Sequence, residues 1–164
     1  MDTNKLTKQI NTMLRPRAAL IAYSTDGGDT YFLEVRSIDN EGAMSEGRPV
    51  FAAGVAVAPP TCWRYYDTVY TERFMRTPKE NAAGYARGPI SQADKLHGKL
   101  LICHGTADDN VHFRNSMEYA EALVQAGKPF MMLPYNNRNH NITGGNTRNH
   151  LYTSITNFFI ENMK

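Results

Sequence analysis

Three short apolar runs, set apart by stretches of helical pattern, limit the folds open to this chain. The runs cover residues 54–58, 99–103 and 129–135. Each is continuous rather than alternating, which is typical of strands buried on both faces of a sheet. Helical patterns lie between and after the runs, so the sequence predicts an α/β fold with a parallel sheet.

Two amphipathic helices accompany the later strands. The first spans residues 115–126 and ends at Gly127, a residue that readily adopts the left-handed conformation found after helices. The second spans residues 149–163, and the stretch from 60 to 98 reads as an aromatic-rich segment followed by loop with short helices. The residues predicted to face inward are Met117, Ala120, Leu123 and Val124 on the first helix and Leu151, Ile155, Phe158 and Phe159 on the second.

Residues 1–50 read differently from residues 51–164 and form an unassigned first segment. A weakly amphipathic helix is expected over 5–14, and two β-rich runs follow at 18–24 and 30–37. The glycines between those runs permit positive φ, which predicts a β-hairpin. Three strands alone would leave an open sheet edge. The hairpin could cover that edge, or another chain could.

The composition of the chain limits the classes of partner that we expect it to bind. The chain has 164 residues, enough for one domain, with 18 Lys and Arg against 16 Asp and Glu and no block of like charge. A nucleic-acid function is therefore not expected. The longest apolar run, residues 51–58, is too short to span a bilayer, so a membrane function is not expected either. The first residues lack the hydrophobic region of a signal peptide, which leaves the localisation open. The two cysteines, Cys62 and Cys103, form neither a disulfide framework nor a zinc pattern, and Cys103 is expected in the core.

An acid and a histidine follow successive predicted strands. Asp108 comes soon after the strand at 99–103, and His140 follows the strand at 129–135. The carboxyl ends of parallel strands meet at one edge of a sheet, so the two loops should be neighbours. The order acid, then histidine, is also that of the α/β-hydrolase triad, whose serine precedes both. In that triad the acid orients the imidazole, which takes the proton of the serine.

Plainer readings of these residues stay open at this point. Asp108 could cap the following helix, and His140 could be an ordinary surface histidine. His104, Asp108 and His112 are spaced by four residues, but Gly105 and the change from strand to loop break any helical face. No metal site and no cofactor are therefore predicted. The aromatic cluster at 63–70 could be core packing.

Three longer runs carry a family resemblance. They are Gly54–Pro59, Trp63–Arg73 and His104–Phe113. Together they make residues 51–164 resemble the C-terminal part of the dipeptidyl peptidase IV family, within the prolyl oligopeptidase group of serine peptidases. The resemblance implies an incomplete α/β-hydrolase fold, with the first segment of unclear placement.

The resemblance also implies roles for particular residues. Asp108 would be the triad acid and His140 the triad base. Asn110 would hydrogen-bond a substrate carbonyl. The implied substrates are peptides with Pro or Ala in the penultimate position, and the apolar pocket for that residue would be lined by Trp63, Tyr66, Tyr70 and Val111.

The chain departs from the family at the nucleophile. Five of its six serines have no glycine two positions before or after, and Ser45 has one only after it. Only eight residues separate Ser45 from Gly54, which is about two helical turns and too little for the helix that follows an elbow. The chain is therefore expected to lack peptidase activity alone. The alternative is a noncatalytic peptide-binding or assembly module, with a second copy or a complementary chain as partner.

Overall fold

A single five-stranded sheet forms the centre of the computed structural model, which describes residues 18–24, 30–35 and 51–163. The strands in chain order are β1 (Ala18–Ser24), β2 (Thr30–Val35), β3 (Phe51–Val57), β4 (Lys99–Gly105) and β5 (Met131–Tyr135). Their order across the sheet is β2-β1-β3-β4-β5, and every pair is parallel except β1 with β2. The helix expected at 5–14, the turn at 25–29 and residues 38–49 lie outside the described residues.

The hairpin strands extend this sheet. β1 pairs antiparallel with β2, from Ala19 opposite Val35 to Ser24 opposite Thr30. β1 also pairs in parallel with β3, which places Ser24 at the edge where the carboxyl ends of β3, β4 and β5 lie. The predicted β-rich runs are therefore strands, and the edge beside β3 is covered by this hairpin.

The described residues form four α-helices, of which the last two match the helices predicted at 115–126 and 149–163. They are α1 (Thr68–Met75), α2 (Ala82–Tyr85), α3 (Arg114–Gln125) and α4 (Thr147–Asn162), with 3₁₀ turns at Trp63–Tyr65 and Ile90–Lys95. Asp67 begins α1 by accepting a hydrogen bond from the Tyr70 N–H at 2.8 Å, as N-cap residues do. Within the described ranges, no helix has both the length and the apolar character needed to cross a membrane.

Alternate residues of β4 face two different layers of helix. Leu101 and Cys103 pack with residues of α4, whereas Ile102 packs with Leu123 of α3. Because side chains of a strand point alternately to opposite faces, helices on both faces explain the continuous apolar run. Cys103 is fully buried, as expected. The expected inner face of the last helix is also confirmed, with the partly buried Phe159 packed against the buried Leu151, Ile155 and Phe158.

The predicted inner face of α3 is correct for Leu123 but wrong for Met117 and Val124. Leu123 is fully buried, but Met117 and Val124 are 50% and 58% exposed, respectively. The helix instead buries Ser116 and packs Tyr119 beside Leu123. Its end is as expected: Gly127 has φ of +65°, the Gly127 N–H bonds Val124 O, and the Lys128 N–H bonds Leu123 O at 2.8 Å. This pair of bonds is a Schellman motif.

Candidate active site

Two loops meet at the carboxyl edge of the sheet. We call residues 106–113, after β4, the acid loop, and residues 136–142, after β5, the histidine loop. The Thr106 N–H bonds Tyr135 O at 3.0 Å, the Ala107 N–H bonds Arg138 O at 3.1 Å, and the Asn137 N–H bonds the Thr106 hydroxyl oxygen at 2.8 Å. The loops are thus held together by backbone as well as by side chains.

Ile142 fixes the far end of the histidine loop. Its side chain is fully buried in the core cluster beneath the sheet. Its φ is +47°, a left-handed conformation that a β-branched residue adopts only under strain. Backbone strain of this kind persists where the surrounding structure imposes it and is concentrated at functional sites. The buried side chain therefore holds a strained turn two residues after His140.

The Asp108 carboxylate accepts four N–H groups. Oδ1 accepts the backbone N–H groups of Asn110 and Val111, both at 2.9 Å. Oδ2 lies 2.8 Å from His140 Nδ1 and 3.0 Å from His104 Nε2. The side chain of Asp108 is fully buried. A buried carboxylate needs this number of donors because desolvation otherwise makes its charge costly.

His140 presents the geometry of a base oriented by an acid. Its Nδ1 faces a carboxylate oxygen, so Nδ1 carries a proton and, in the neutral ring, Nε2 is left as the acceptor. Nε2 is buried and has no hydrogen-bond partner among the described residues. The ring is therefore held in the tautomer that can take a proton at Nε2.

The environment of Asp108 keeps the carboxyl group ionised. Burial alone would raise its pKa, but hydrogen bonds from His104 and His140, the charge of His140 and the Asn110 N–H act in the opposite direction, and the net result is a pKa well below the usual range. The carboxylate is therefore available as a charged acceptor for His140 under ordinary conditions.

Low pH should lower the free energy of unfolding, in part because Asp108 becomes protonated. A carboxyl group whose folded pKa is depressed binds fewer protons in the folded state, so its contribution is present above the unfolded value of about 3.9 and is lost as the pH falls below it. We expect the urea-unfolding free energy to decline from about pH 5 downwards and Asp108→Asn to flatten that decline. Glu161→Gln is the control, since Glu161 is a solvent-exposed carboxylate near the end of α4 and should leave most of the decline. Identical slopes for Asp108→Asn and the wild type would contradict this assignment.

An aromatic cluster stands beside the acid loop. The ring centroids of Trp63 and Tyr70 are 6.3 Å apart in a stacked arrangement, and Tyr66 meets both rings edge-on at 6.3 and 5.5 Å. The Tyr66 hydroxyl donates to Asn110 Oδ1 at 2.9 Å. Burial, followed by the charges of Asp67 and Asp108 among others, raises the pKa of Tyr66, which keeps this hydroxyl protonated as a donor.

An open cavity of about 470 Å³ connects part of this cluster to the histidine. Of the residues named from the sequence, Tyr66, Asn110 and His140 line it. Asp108 lies behind His140, and Val111 is buried in the core, 3% exposed. Trp63 and Tyr70 pack against Tyr66 from the side rather than lining the cavity. The full lining consists of Tyr66, Asp67, Asp109, Asn110, Asn139, His140 and Asn141.

Two residues at the site were not singled out by the sequence pattern. Asn115 is fully buried, and its Oδ1 accepts the N–H groups of Thr61 and Cys62 at 3.0 and 3.2 Å. Ser116, also fully buried, lies with its hydroxyl oxygen 2.6 Å from His104 Nδ1. Hydropathy treats both as surface residues, so only a long-range hydrogen-bond argument could have found them.

His104, Asp108 and His112, which are spaced by four residues in sequence, do not form a cation site. His104 bonds Asp108, whereas His112 Nδ1 accepts the Arg114 N–H at 3.2 Å at the start of α3. Over residues 51–163, with the two hairpin strands, no group of three His, Cys, Asp or Glu residues is placed to hold a metal ion. The ring of His104 instead packs against Phe113 of the acid loop, with the two ring centroids 5.4 Å apart.

A parallel sheet with helices on both faces, and an acid–histidine pair at its carboxyl edge, define the α/β-hydrolase class. Comparison with known proteins identifies the family. The model of the prolyl oligopeptidase family matches residues 42–164. The chain therefore belongs to the prolyl oligopeptidase family of serine peptidases.

Individual relatives place it in the dipeptidyl peptidase IV branch. The chain is 42% identical over 120 residues to mouse prolyl endopeptidase FAP and 42% identical over 119 residues to cat dipeptidyl peptidase 4, matches that cover 71% and 70% of this chain. The crystal structure of Porphyromonas gingivalis dipeptidyl peptidase 4 is 57% identical, with a TM-score of 0.69 over 71% of this chain. The chain spans only 16% of the two curated relatives and 17% of the crystallised one. It therefore corresponds to a segment of the α/β-hydrolase domain.

Proposed function

We propose that this chain is the acid- and base-bearing segment of a dipeptidyl peptidase IV-like enzyme and that it supplies no nucleophile of its own. The observation that carries the proposal is the 2.8 Å contact between Asp108 Oδ2 and His140 Nδ1, with Nε2 left without a partner in the described part of the chain. The reaction that such a pair serves is acyl transfer in two steps: an N-terminal dipeptidyl group ending in Pro or Ala passes to a serine while the rest of the peptide leaves as the amine, and water then hydrolyses the acyl-enzyme and releases the dipeptide.

The aromatic side of the cavity fits this substrate class. Proline is apolar and lacks an N–H, so it suits an aromatic wall better than a polar one. Tyr66 offers such a wall beside His140, with Trp63 and Tyr70 packed against its ring. The hydrogen bond from Tyr66 engages Asn110 Oδ1, which leaves the Asn110 amide N–H groups to donate to a substrate carbonyl.

Two of the described serines are engaged in hydrogen bonds of their own. The Ser91 hydroxyl donates to Gly88 O and accepts the Gly88 N–H, and Ser116 is engaged with His104. Ser154 lies inside α4 and not in a turn between a strand and a helix, where an elbow serine would lie. Ser24 ends β1 at the carboxyl edge, and Ser37 and Ser45 lie outside the described residues. In sequence, none of the six has glycines on both sides in an elbow pattern.

A fluorophosphonate probe tests the missing nucleophile. We expect no serine of the isolated chain to be labelled, while an active dipeptidyl peptidase 4 included as positive control is labelled stoichiometrically. Mass spectrometry of the digested protein locates any adduct. Stoichiometric labelling at Ser24 or Ser45 would show that the chain carries its own nucleophile and would defeat the proposal.

A noncatalytic peptide-binding module is the second candidate, and the open cavity favours it. Trp63 is the single tryptophan of the chain, so its fluorescence reports on the aromatic cluster directly. We expect titration with a peptide carrying penultimate proline to change this fluorescence, and a penultimate glycine to bind about tenfold more weakly, which is about 1.4 kcal/mol. Tyr66→Phe should weaken binding, and Tyr152→Phe, on the exposed side of α4, should not. A monomer by sedimentation with no measurable binding of either peptide would argue against a peptide-binding module.

A further inference from the structure

His104 lies at the centre of a buried hydrogen-bond chain that the proposed reaction leaves unused. It stands near the end of β4 and has no solvent exposure. Its Nδ1 lies 2.6 Å from the Ser116 hydroxyl oxygen. Its Nε2 lies 3.0 Å from Asp108 Oδ2 and 2.8 Å from Val111 O. Both nitrogens of this ring are therefore engaged in the protein interior.

These partners determine where the proton sits. Val111 O is a carbonyl and Asp108 is an ionised carboxylate, so both neighbours of Nε2 can only accept, and Nε2 must carry a proton. The contact with Nδ1 is the one hydrogen bond of the Ser116 hydroxyl within the described part of the chain. A proton on Nδ1 would leave that buried hydroxyl without an acceptor, so the hydroxyl donates and Nδ1 accepts.

We propose that His104 is a positioning residue of the Asp108–His140 pair, acting as a neutral imidazole that donates from Nε2 to Asp108 and accepts the Ser116 hydroxyl at Nδ1. The proposal rests on the proposed function only in that it concerns the same acid and base. The hydrogen bonds that carry it do not depend on where the nucleophile comes from.

One carboxylate oxygen of Asp108 accepts hydrogen bonds from two imidazoles. Oδ2 receives His140 Nδ1 from one side and His104 Nε2 from the other, while Oδ1 is held by two backbone N–H groups. Removal of the His104 donor leaves Oδ2 with His140 alone and leaves the Val111 carbonyl unpaired. The carboxylate plane, and with it the His140 ring, would then no longer be fixed against β4.

The protonation state can be read in the wild-type protein. Long-range ¹H–¹⁵N correlation spectra of the uniformly ¹⁵N-labelled chain distinguish the two neutral tautomers of each histidine from the imidazolium. We expect the neutral His104 ring to be protonated at Nε2 and unprotonated at Nδ1. A proton on Nδ1 would overturn the proposal.

Two amide variants test the positioning role with matched chemistry. A glutamine amide nitrogen reaches the place of Nε2, whereas an asparagine amide reaches only the place of Nδ1. We expect the downfield proton between His140 Nδ1 and Asp108 to persist in His104→Gln and to disappear or broaden in His104→Asn. Circular dichroism verifies that each variant is folded.

Two results would overturn the positioning role. One is a folded His104→Asn variant with the same His140 resonance as the wild type, and the other is a folded His104→Gln variant that loses the resonance. If His104→Asn does not fold, the His140 resonance of His104→Gln still tests the positioning role. Peptide binding and serine labelling are separate measurements, so a failure of the proposed function would not alter these spectra.

Discussion

Gly105→Ala is expected to separate the acid loop from the histidine loop and to destabilise the protein by about 3 kcal/mol or more. A Cβ atom at Gly105 would overlap Arg138 O and lie 2.6 Å from Asn139 O. Both are backbone atoms and cannot rotate away, so the histidine loop itself must move. Because His140 is the next residue, we expect the variant to lose the downfield Nδ1 proton resonance of the Asp108–His140 hydrogen bond.

Gly127→Ala is the matched control for this change. Gly127 has φ of +65°, but no heavy atom lies within 4 Å of a Cβ added there. Gly127→Ala should lower the free energy of unfolding by only about 1–2 kcal/mol, because alanine is strained in the left-handed conformation. It should leave the His140 resonance unchanged. Urea unfolding and the same NMR spectrum measure both variants. A Gly105→Ala protein with wild-type stability and an unchanged His140 resonance would mean that the loops do not meet at this glycine.

The acid–histidine pair could be predicted because general topology brings it together. Asp108 and His140 follow neighbouring parallel strands, and the strands pair in chain order, from Val57 opposite Cys103 to Gly105 opposite Tyr135. Carboxyl ends of such strands share one edge whatever the side chains are. The strands themselves were visible because residues such as Leu101 and Ile102 are buried from opposite faces, which leaves a continuous apolar run.

The face of α3 could not be predicted from hydropathy because two of its three buried residues are polar. Asn115 and Ser116 are fully buried, whereas Met117 is half exposed. The burial is stabilised by hydrogen bonds to Thr61 and His104, which lie 54 and 12 residues away in sequence. A periodic hydropathy pattern contains no information about partners at that distance.

The position of the hairpin in the sheet likewise could not be predicted from the local sequence. The turn glycines and β-rich runs predict that β1 and β2 pair with each other. The parallel pairing of β1 with β3, from Ala18 opposite Phe51 to Ala22 opposite Ala56, depends on an open edge that exists only once the sheet has formed. Local sequence therefore indicates the strands, and the assembled sheet determines their neighbours.

Asn115→Ala is expected to cost about 3 kcal/mol or more, because it leaves several buried groups unpaired at about 1–3 kcal/mol each. Asn115 Oδ1 accepts the N–H groups of Thr61 and Cys62, and Nδ2 donates to His112 O at 3.0 Å. These bonds join the segment that leads into the aromatic cluster to the start of α3. Their loss should also release Tyr66 from Asn110 and weaken binding of the penultimate-proline peptide by about tenfold, or about 1.4 kcal/mol.

A graded series separates this role from a general loss of stability. Thr61→Val removes only the hydroxyl that donates to Asn115 O at 2.7 Å, so it should cost about 1 kcal/mol and leave peptide binding nearly unchanged. Asn149→Ala, which removes an exposed amide on α4, should alter neither property. Urea unfolding gives the stabilities, and Trp63 fluorescence gives the affinities. If Asn115→Ala lowers stability but keeps the wild-type affinity, the Asn115 hydrogen bonds hold the fold without positioning the aromatic cluster, because the contact between Tyr66 and Asn110 then survives without them.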